Sequence, residues 1–418
     1  MPLTTPKIDR CRVCGNPSLI PCVSLGIQYL SSVFPENLDY RTKVPQWPLD
    51  LTLCEKNEAS CGLLQLAHRL DLTAMYNAYP YTSSSNSSMR TLLKDVANSG
   101  LAFGHLNRGD VVLDIGGNDG TLLSLFQDKG FNLINIDPAT NIQPVFHDSN
   151  YRHLRNYFGK EVFSSATDRK AKLIFSIAMF YHHPDPIRFS QEVAACLDDN
   201  GVWIIQMAYL PTMIKTTMYD NIVHEHNGYY ATHQMCWIME RAGLEIFDVA
   251  LNEVYGGSFR VFVKRKDCNQ YPETDRCHHI LKEELEGRIF DLSPYQTFMR
   301  RVEKLRMDLR KLCRTLKAQG KTIWAYGAST KGNTILQYSN LDKDVIVAAA
   351  DANPFKIGKY MVGTDIPITD EATMRAAKPD YLLVLPYSFL ESFMQREELL
   401  VTKGTKFIVP LPEVRIVP

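Results

Sequence analysis

The sequence predicts an α/β protein in which two Rossmann-like units follow a cysteine-rich segment. Apolar runs predict strands at 111–115, 132–136, 171–177, 201–207 and 258–264, which alternate with helical segments near 121–129, 186–197 and 231–243. A charge-rich stretch at 275–317 is predicted to form a connecting helix. The alternation then starts again, with strands at 322–326 and 345–350. Each unit opens with a strand that runs directly into a glycine-rich turn. The first 75 residues instead hold five of the ten cysteines. A chain of 418 residues exceeds the usual single core, and we predict domains at 1–75, 76–270 and 271–418.

Composition narrows the classes of partner. The 46 basic and 46 acidic residues balance to a formal charge of zero, which gives no electrostatic case for a nucleic acid polymer or an anionic membrane. No apolar run approaches the roughly 20 residues of a membrane span, and the N-terminus lacks the apolar core of a signal peptide. We therefore expect a cytoplasmic protein, as a monomer or weak oligomer, whose cysteines are metal ligands or free thiols.

The cysteine-rich segment contains two cysteine pairs about 40 residues apart, each closed by a glycine. This pattern predicts a structural zinc site with four thiolate ligands, Cys11, Cys14, Cys54 and Cys61. The six-residue gap in the second pair is wider than usual, and reduced buried cysteines are the alternative. Cys22 lies in an apolar stretch and is predicted to be a small core residue.

A tyrosine- and hydroxyl-rich loop, residues 76–88, precedes a predicted helix from Met89 to about Ser99. Composition alone allows a linker. Because three tyrosines fall within six residues, we favour an ordered lid or pocket wall that contains Tyr79 and Tyr81.

The first glycine-rich turn reads Asp114-Ile-Gly-Gly-Asn-Asp-Gly-Thr121 between a predicted strand and a predicted helix. Such glycines admit positive φ and let a ligand approach the backbone. Asp137, at the end of the next strand, suits a ribose diol. The acidic-x-Gly-x-x-x-Gly order fits S-adenosylmethionine (SAM) better than a dinucleotide; another nucleotide, or a plain strand–helix turn, is the alternative. Ligands of such sheets lie beyond the strand ends, so segments 176–184 and 206–209 should line the pocket.

The second glycine-rich turn, residues 327–332, carries Ser329, Thr330 and Lys331. These groups suit a phosphate or diphosphate, although the order required for a Walker loop is absent. The alternative is a structural repeat with a solvated lysine.

The cluster His224-Glu225-His226 lies between the two turns, with aromatic residues on both sides. Its spacing excludes the H-E-x-x-H motif of helical metalloproteases. A mononuclear metal held by His224 and His226 and a polar surface loop are both open alternatives. We favour general acid/base chemistry, since histidine titrates near neutrality and a carboxylate can share its proton.

Several motifs together resemble one known family. They are the cysteine pairs, the tyrosine-rich loop, DIGGNDGTLL, the His-Glu-His cluster, GGSFRV at 256–261 and YGASTKGNTILQY at 326–338. On these motifs the chain resembles the SAM-dependent sugar C-methyltransferases of deoxysugar biosynthesis. The resemblance implies an N-terminal zinc domain, a SAM-binding middle domain and a Rossmann-like C-terminal domain. It also implies a dTDP- or GDP-linked 4-keto-6-deoxysugar substrate, methylated at carbon 3 beside the ketone.

The resemblance implies proton transfer through an enediolate by Glu225 and His226, with His224 orienting one of them. Many relatives carry a tyrosine where this chain has Val223, so a base role held by that tyrosine would move to Glu225 or His226. The implied SAM-binding residues are Asp114, Gly116, Gly117, Asn118, Asp119, Asp137, Pro138 and Ser176. The implied substrate-binding residues are Tyr79, Tyr81, Tyr209, Arg260, Lys331 and Asn333.

Overall fold

A computed structural model of the protein describes residues 6–70, 79, 81–85 and 87–418. The predicted domain boundary at 75/76 and part of the predicted tyrosine-rich loop lie outside these residues. Within the described part of the chain, no helix is long and apolar enough to cross a membrane.

The described elements are numbered here in chain order. The strands are β1 Leu19–Tyr29, β2 Gln46–Cys54, β3 Leu64–Leu66, β4 Val111–Ile115, β5 Asn132–Ile136, β6 Tyr151–Leu154, β7 Ala171–Ile177, β8 Leu197–Ala208, β9 Gly228–Tyr229, β10 Leu244–Asn252, β11 Ser258–Arg265, β12 Ile323–Tyr326, β13 Ala349–Ala350, β14 Tyr360–Met361, β15 Ile366–Thr369, β16 Tyr381–Val384, β17 Lys406–Val409 and β18 Arg415–Val417. The α-helices are α1 Ser87–Gly104, α2 Thr121–Ser124, α3 Lys160–Ala166, α4 Pro186–Cys196, α5 Leu210–Thr216, α6 Thr232–Arg241, α7 Asp275–Glu286, α8 Leu292–Ala318, α9 Thr330–Ser339, α10 Glu371–Ala377, α11 Leu390–Arg396 and α12 Glu398–Val401. Single 3₁₀ turns occur at Leu38–Thr42, Ser83–Ser85, Phe180–His182, Tyr219–Asn221, Val254–Gly256 and Tyr387–Phe389.

The N-terminal segment forms an antiparallel sheet in the order β1-β2-β3-β9. Leu49, Leu51 and Leu53 alternate along β2 and are buried, as expected for a strand with one face on a core. The fourth strand, β9, comes from the distant segment that follows the His-Glu-His cluster. The sequence did not predict this sheet, because β3 and β9 are only three and two residues long and β9 is separated from the other strands by more than 150 residues.

The central sheet has the order β10-β11-β8-β7-β4-β5-β6 and confirms the predicted Rossmann-like unit. β4, β5 and β7 have the predicted bounds. The helix predicted at 121–129 is only the four-residue α2, after which the chain continues in turns. β4 pairs parallel with both β5 and β7, so the carboxyl ends of these three strands meet at one edge, where ligands of such sheets bind.

The C-terminal sheet has the order β14-β15-β13-β12-β16-β17-β18 and confirms the second Rossmann-like unit. The strand predicted at 345–350 shrinks to β13, because the amides of Val345 and Ile346 both turn back to the carbonyl of Asp342. α9 begins at a Ser329 N-cap whose hydroxyl accepts from the Gly332 amide at 2.9 Å.

The charge-rich stretch predicted as one connecting helical region contains two helices, α7 and α8. The break falls at Gly287 and Arg288, the latter with φ of 55°. Along α8 the buried side chains recur every three or four residues, the spacing of one helix face. One core cluster includes Leu51, Ile205 and Ile323, one residue from each of the three sheets.

Candidate functional site

A cavity of about 970 Å³ lies at the carboxyl ends of β4, β5 and β7. Its wall includes the first glycine-rich turn, the segment 177–179 and the pair His182 and His183. The predicted pocket segment 176–184 therefore does line a cavity, whereas the segment 206–209 does not line this one. Tyr79 and Tyr81 lie on its wall, as do Arg10, Arg12 and Arg69 from the N-terminal segment.

Asp137 is fixed at the floor of this cavity by two backbone amides. Its Oδ2 accepts from the Asn118 amide and its Oδ1 from the Ala139 amide, both at 2.9 Å. Gly116 has φ of 70°, so the turn passes beneath the cavity with bare backbone. These residues, with Pro138 on the same wall, fit the ribose and adenine end of SAM: an oriented carboxylate, an apolar wall and an open backbone.

Asn118 and Asp119 hold the tyrosine-rich loop onto the turn. The Asn118 side chain accepts from the Ser83 amide at 2.9 Å and donates to the Tyr81 carbonyl at 3.0 Å. Asp119 accepts from the Ser84 amide at 2.9 Å. Asn118 also lines the cavity, whereas Asp119 does not. The predicted SAM role of Asp119 is thus indirect in this geometry, since its carboxylate organises the loop beside the turn.

Asp114 is buried directly beneath the turn. Burial raises its pKa well above the ordinary carboxyl range, and the nearby charges of Asp137 and Asp119 raise it further. A cationic ligand in the cavity would relieve this crowding of acidic groups. SAM carries such a charge at sulfur, which matches the sequence prediction for this turn.

Four predicted ligand-binding residues are held in contacts away from the cavity, and the geometry assigns them structural roles. Ser176 accepts from the Trp203 indole at 3.0 Å. The Tyr209 hydroxyl donates to Glu284 at 2.8 Å. In neither case does a sequence pattern reveal the partner, because each partner lies on a different element.

The other two are Arg260 and Asn333. Arg260 pairs with Asp95 at 2.6 Å and donates to Gln206 at 2.7 Å inside the central unit. The Asn333 amide donates to the Ser31 carbonyl at 2.6 Å and so joins α9 to the N-terminal segment. Both side chains are buried and neither lines the cavity. Arg260 is held by these partners, whereas the Asn333 Oδ1 has no hydrogen-bond partner among the described residues.

The His-Glu-His cluster is buried, so the alternative of a polar surface loop is wrong. His224 turns toward the N-terminal sheet, where its Nε2 donates to the Trp47 carbonyl at 3.2 Å. Burial lowers the pKa of His224 to about 4. His224 therefore anchors the loop, and it does not share a metal with His226.

Glu225 and His226 are the two chemically available members of the cluster. The Nδ1 of His226 donates to the Asn221 carbonyl at 2.7 Å, which leaves Nε2 as an acceptor. Burial lowers the pKa of His226 well below its ordinary value, so the ring is neutral. Glu225 is buried too, and its Oε2 has no hydrogen-bond partner among the described residues. Burial raises the pKa of Glu225 to about 7.

His182 connects the cavity to this cluster, and its role was missed at the sequence level. It lines the cavity, and its ring stacks on His226 with centroids 5.4 Å apart. Burial lowers its pKa to about 3. Its position just after the end of a predicted strand is the sequence feature that could have indicated this role.

The C-terminal unit adds charge to the same cluster. Lys331 faces the carboxyls of Asp220 and Glu225, and its charge lowers the pKa of both against the effect of burial. The Tyr387 hydroxyl donates to Asp220 at 3.1 Å. Lys331 was predicted to bind substrate, whereas Asp220 and Tyr387 were missed. Asp220 and Tyr387 are 167 residues apart, and no local pattern could have joined them.

His182, Glu225 and His226 also have donor atoms close enough to hold a metal, all within 4.8 Å of one another. The positive charge of Lys331 beside Glu225 works against a divalent cation there. We therefore interpret this trio as acid/base groups.

The four predicted cysteine ligands do form a metal-compatible cluster. Their sulfurs all lie within 4.8 Å of one another, with the Cys11–Cys61 and Cys14–Cys54 pairs each at 3.5 Å. Tetrahedral zinc with four thiolates requires sulfurs about 3.8 Å apart. The donor set, its burial and its spacing fit a closed zinc site with no open position.

Purified protein is expected to contain about one zinc per chain. Cys54→Ser should lose the metal and melt at lower temperature, because a structural zinc stabilises only the folded state. Elemental analysis and thermal melting measure both. Cys22→Ser, a change in the same sheet outside the cluster, is the control. Full zinc retention by Cys54→Ser would contradict the assignment.

Three family models match the chain in succession: a zinc binding domain over residues 11–76, a methyltransferase domain over 87–249 and a C-methyltransferase C-terminal domain over 253–412. C-methyltransferase NovU of Streptomyces niveus is 30% identical over 412 residues, which covers 98% of this chain and 97% of that protein.

Solved methyltransferase structures match part of the chain. Magnesium protoporphyrin IX methyltransferase of Synechocystis PCC 6803 with bound SAH is 13% identical, covers 43% of this chain and 87% of its own, and has a TM-score of 0.34. The plantazolicin methyltransferase BamL with SAH is also 13% identical, with 43% and 85% covered and a TM-score of 0.34.

Proposed function

The chain belongs to the C-methyltransferase family, and on that premise we propose that it methylates carbon 3 of a nucleotide-linked 4-keto-6-deoxysugar through an enediolate. A carbon acceptor must first become a nucleophile. Hydrogens beside a ketone are acidic enough for a protein base to remove, which makes a keto-sugar a suitable acceptor. The sugar and its dTDP or GDP carrier rest on the resemblance of the sequence motifs.

Glu225 is the observation that carries the proposal. A buried carboxyl with a pKa of about 7, one oxygen of which has no partner in the part of the chain that the structure describes, is poised to take a proton near neutral pH. Neutral His226 has a pKa far below this and is a weaker base. We assign proton abstraction to Glu225. His226 accepts a hydrogen bond from a substrate hydroxyl at its Nε2.

The proton from carbon 3 moves to Glu225, and the electron pair left behind is shared with the ketone oxygen. Lys331, whose charge faces the Glu225 carboxyl, supplies the positive charge near that oxygen. The pair on carbon 3 would then form the new carbon–carbon bond with the donor's methyl group as the methyl–sulfur bond breaks, whose electrons stay on the sulfur of S-adenosylhomocysteine. Glu225 later releases its proton to solvent. When bound, SAM supplies the electrophilic methyl group. His182 belongs both to the wall of the cavity that the glycine-rich turn lines and to the ring contact with His226, so the acid/base groups lie next to the cofactor cavity.

Deuterium exchange tests the acceptor without requiring methyl transfer. The protein is incubated in D2O with dTDP- and GDP-linked 4-keto-6-deoxyhexoses, with and without SAM, and mass spectra are recorded. We expect one deuterium beside the ketone without SAM and a gain of one methyl group with it. Methylation on oxygen or nitrogen without exchange would indicate another acceptor. Neither exchange nor methylation across the panel would overturn the proposal.

A further inference from the structure

The loop that carries Glu225 and His226 is part of the N-terminal sheet. We define the catalytic loop as residues 221–229. Its last two residues form β9, which pairs with β3 so that Leu64 lies opposite Tyr229 and Gln65 opposite Gly228. The Leu66 amide also donates to the Asn227 carbonyl at 3.1 Å. The chain directly after His226 is therefore held by β3.

β3 is in turn held by one arginine from the cysteine cluster. The Arg12 amide donates to Gln65 Oε1 at 3.0 Å. The Arg12 guanidinium donates to the Leu66 carbonyl through Nη1 and to the His68 carbonyl at 2.7 Å through Nη2. Leu66 and His68 are buried, so without Arg12 these carbonyls would lose a charged donor where water cannot easily replace it.

The cysteine cluster fixes both ends of this contact. Arg12 lies between Cys11 and Cys14, and Cys61 precedes β3 by three residues. Arg12 therefore joins the metal-compatible cluster to β3, and β3 joins it to the catalytic loop. The anchor from His224 to the Trp47 carbonyl reaches the same sheet.

We propose that Arg12 is a positioning residue that holds the catalytic loop through β3, so that the cysteine cluster sets the geometry of Glu225 and His226. This inference deepens the proposed function and rests on it for the identity of the reaction. It gives the N-terminal segment a role in proton transfer, although none of its residues removes the proton.

Arg12→Met in the full chain tests the inference, because methionine keeps an unbranched apolar side chain and removes the guanidinium with all its donors. Amide hydrogen exchange of residues 221–229, SAM affinity by calorimetry and steady-state kinetics of sugar exchange are measured. We expect loop amides to exchange at least about tenfold faster and kcat to fall at least about tenfold. Arg12 also lines the cavity, but its guanidinium is bonded to the Leu66 and His68 carbonyls and the cofactor turn lies on other strands, so KM and SAM affinity should change by less than about threefold.

Arg12→Lys retains a single charged donor group. It should restore part of the loop protection and part of kcat relative to Arg12→Met, which a role in general folding would not predict. Arg300→Met, an exposed arginine on α8, is the matched control. Unchanged loop protection in Arg12→Met would overturn the inference, as would an equal loss of SAM affinity. If the unmodified protein exchanges no proton of any keto-sugar, the proposed function fails, yet loop protection and SAM affinity still decide the role of Arg12.

Discussion

Glu225→Gln is expected to lower proton exchange beside the sugar ketone by about 10² to 10⁴-fold, the usual contribution of a general base. Glutamine keeps the size of the side chain but cannot accept a proton near neutral pH. Methyl transfer should fall in parallel, while SAM affinity should change little, because Glu225 lies outside the cofactor turn. Deuterium incorporation and calorimetric titration with SAM measure these two effects.

The pH dependence follows from the raised pKa of Glu225. Burial raises it from 4.5 to about 7, and the charge of Lys331 opposes that rise. Only the ionised carboxylate accepts a proton, so the exchange rate should increase as pH rises toward about 7 and then level off. A rate that is flat between pH 5 and 8 would contradict this assignment.

The raised pKa of Glu225 also makes the free energy of unfolding depend on pH. For this group stability falls as pH rises, whereas for an ion-paired carboxylate it increases. Between about pH 4.5 and 7 the folded protein retains the Glu225 proton while the unfolded chain has lost it. The contribution of this group to stability therefore falls as pH rises through that window. Glu225→Gln should stabilise the protein more at pH 8 than at pH 5, measured by thermal melting. Glu240→Gln, which changes an exposed residue on α6, is the control and should leave the pH dependence of stability and the rate of proton exchange unchanged.

Gly117→Ala is expected to weaken SAM binding by about 10- to 100-fold, the cost of roughly 1–3 kcal/mol for an overpacked site. A Cβ at Gly117 would lie 2.4 Å from the Asn135 Oδ1 and 2.5 Å from the Asp114 Oδ2. Both groups are buried beneath the turn and have little room to move. The turn would shift and carry the Asn118 amide away from Asp137. Calorimetric titration with SAM measures the loss.

Gly159→Ala is the matched control for this change. An added Cβ there approaches nothing closer than the flexible Glu192 carboxylate at 3.3 Å, and the backbone is extended, with φ of −164°. It should bind SAM like the unmodified protein. Normal SAM affinity in Gly117→Ala would contradict the placement of the cofactor on this turn.

Site features that depend only on neighbouring residues could be predicted from the sequence. The turn around Gly116, the order Cys-x-x-Cys and the run after β7 each carry their information within a few positions. The roles of residues whose partners lie far away in the chain could not be predicted from the sequence. Arg260 looked free to bind a diphosphate, yet it is paired with Asp95, which lies 165 positions earlier in the chain.

The sequence by itself determined two Rossmann-like units, a SAM-type turn and a cluster of four cysteines, because strand periodicity, glycine spacing and thiol spacing are local properties. Only the tertiary structure decided the electrostatics of the site. The pKa of Glu225 is raised to about 7 by burial, against the opposing charge of Lys331, a residue of the other Rossmann-like unit. Likewise, β9 pairs with β3 across more than 150 residues. Desolvation and long-range pairing exist only once the chain is folded, so no pattern of neighbouring residues can encode them visibly.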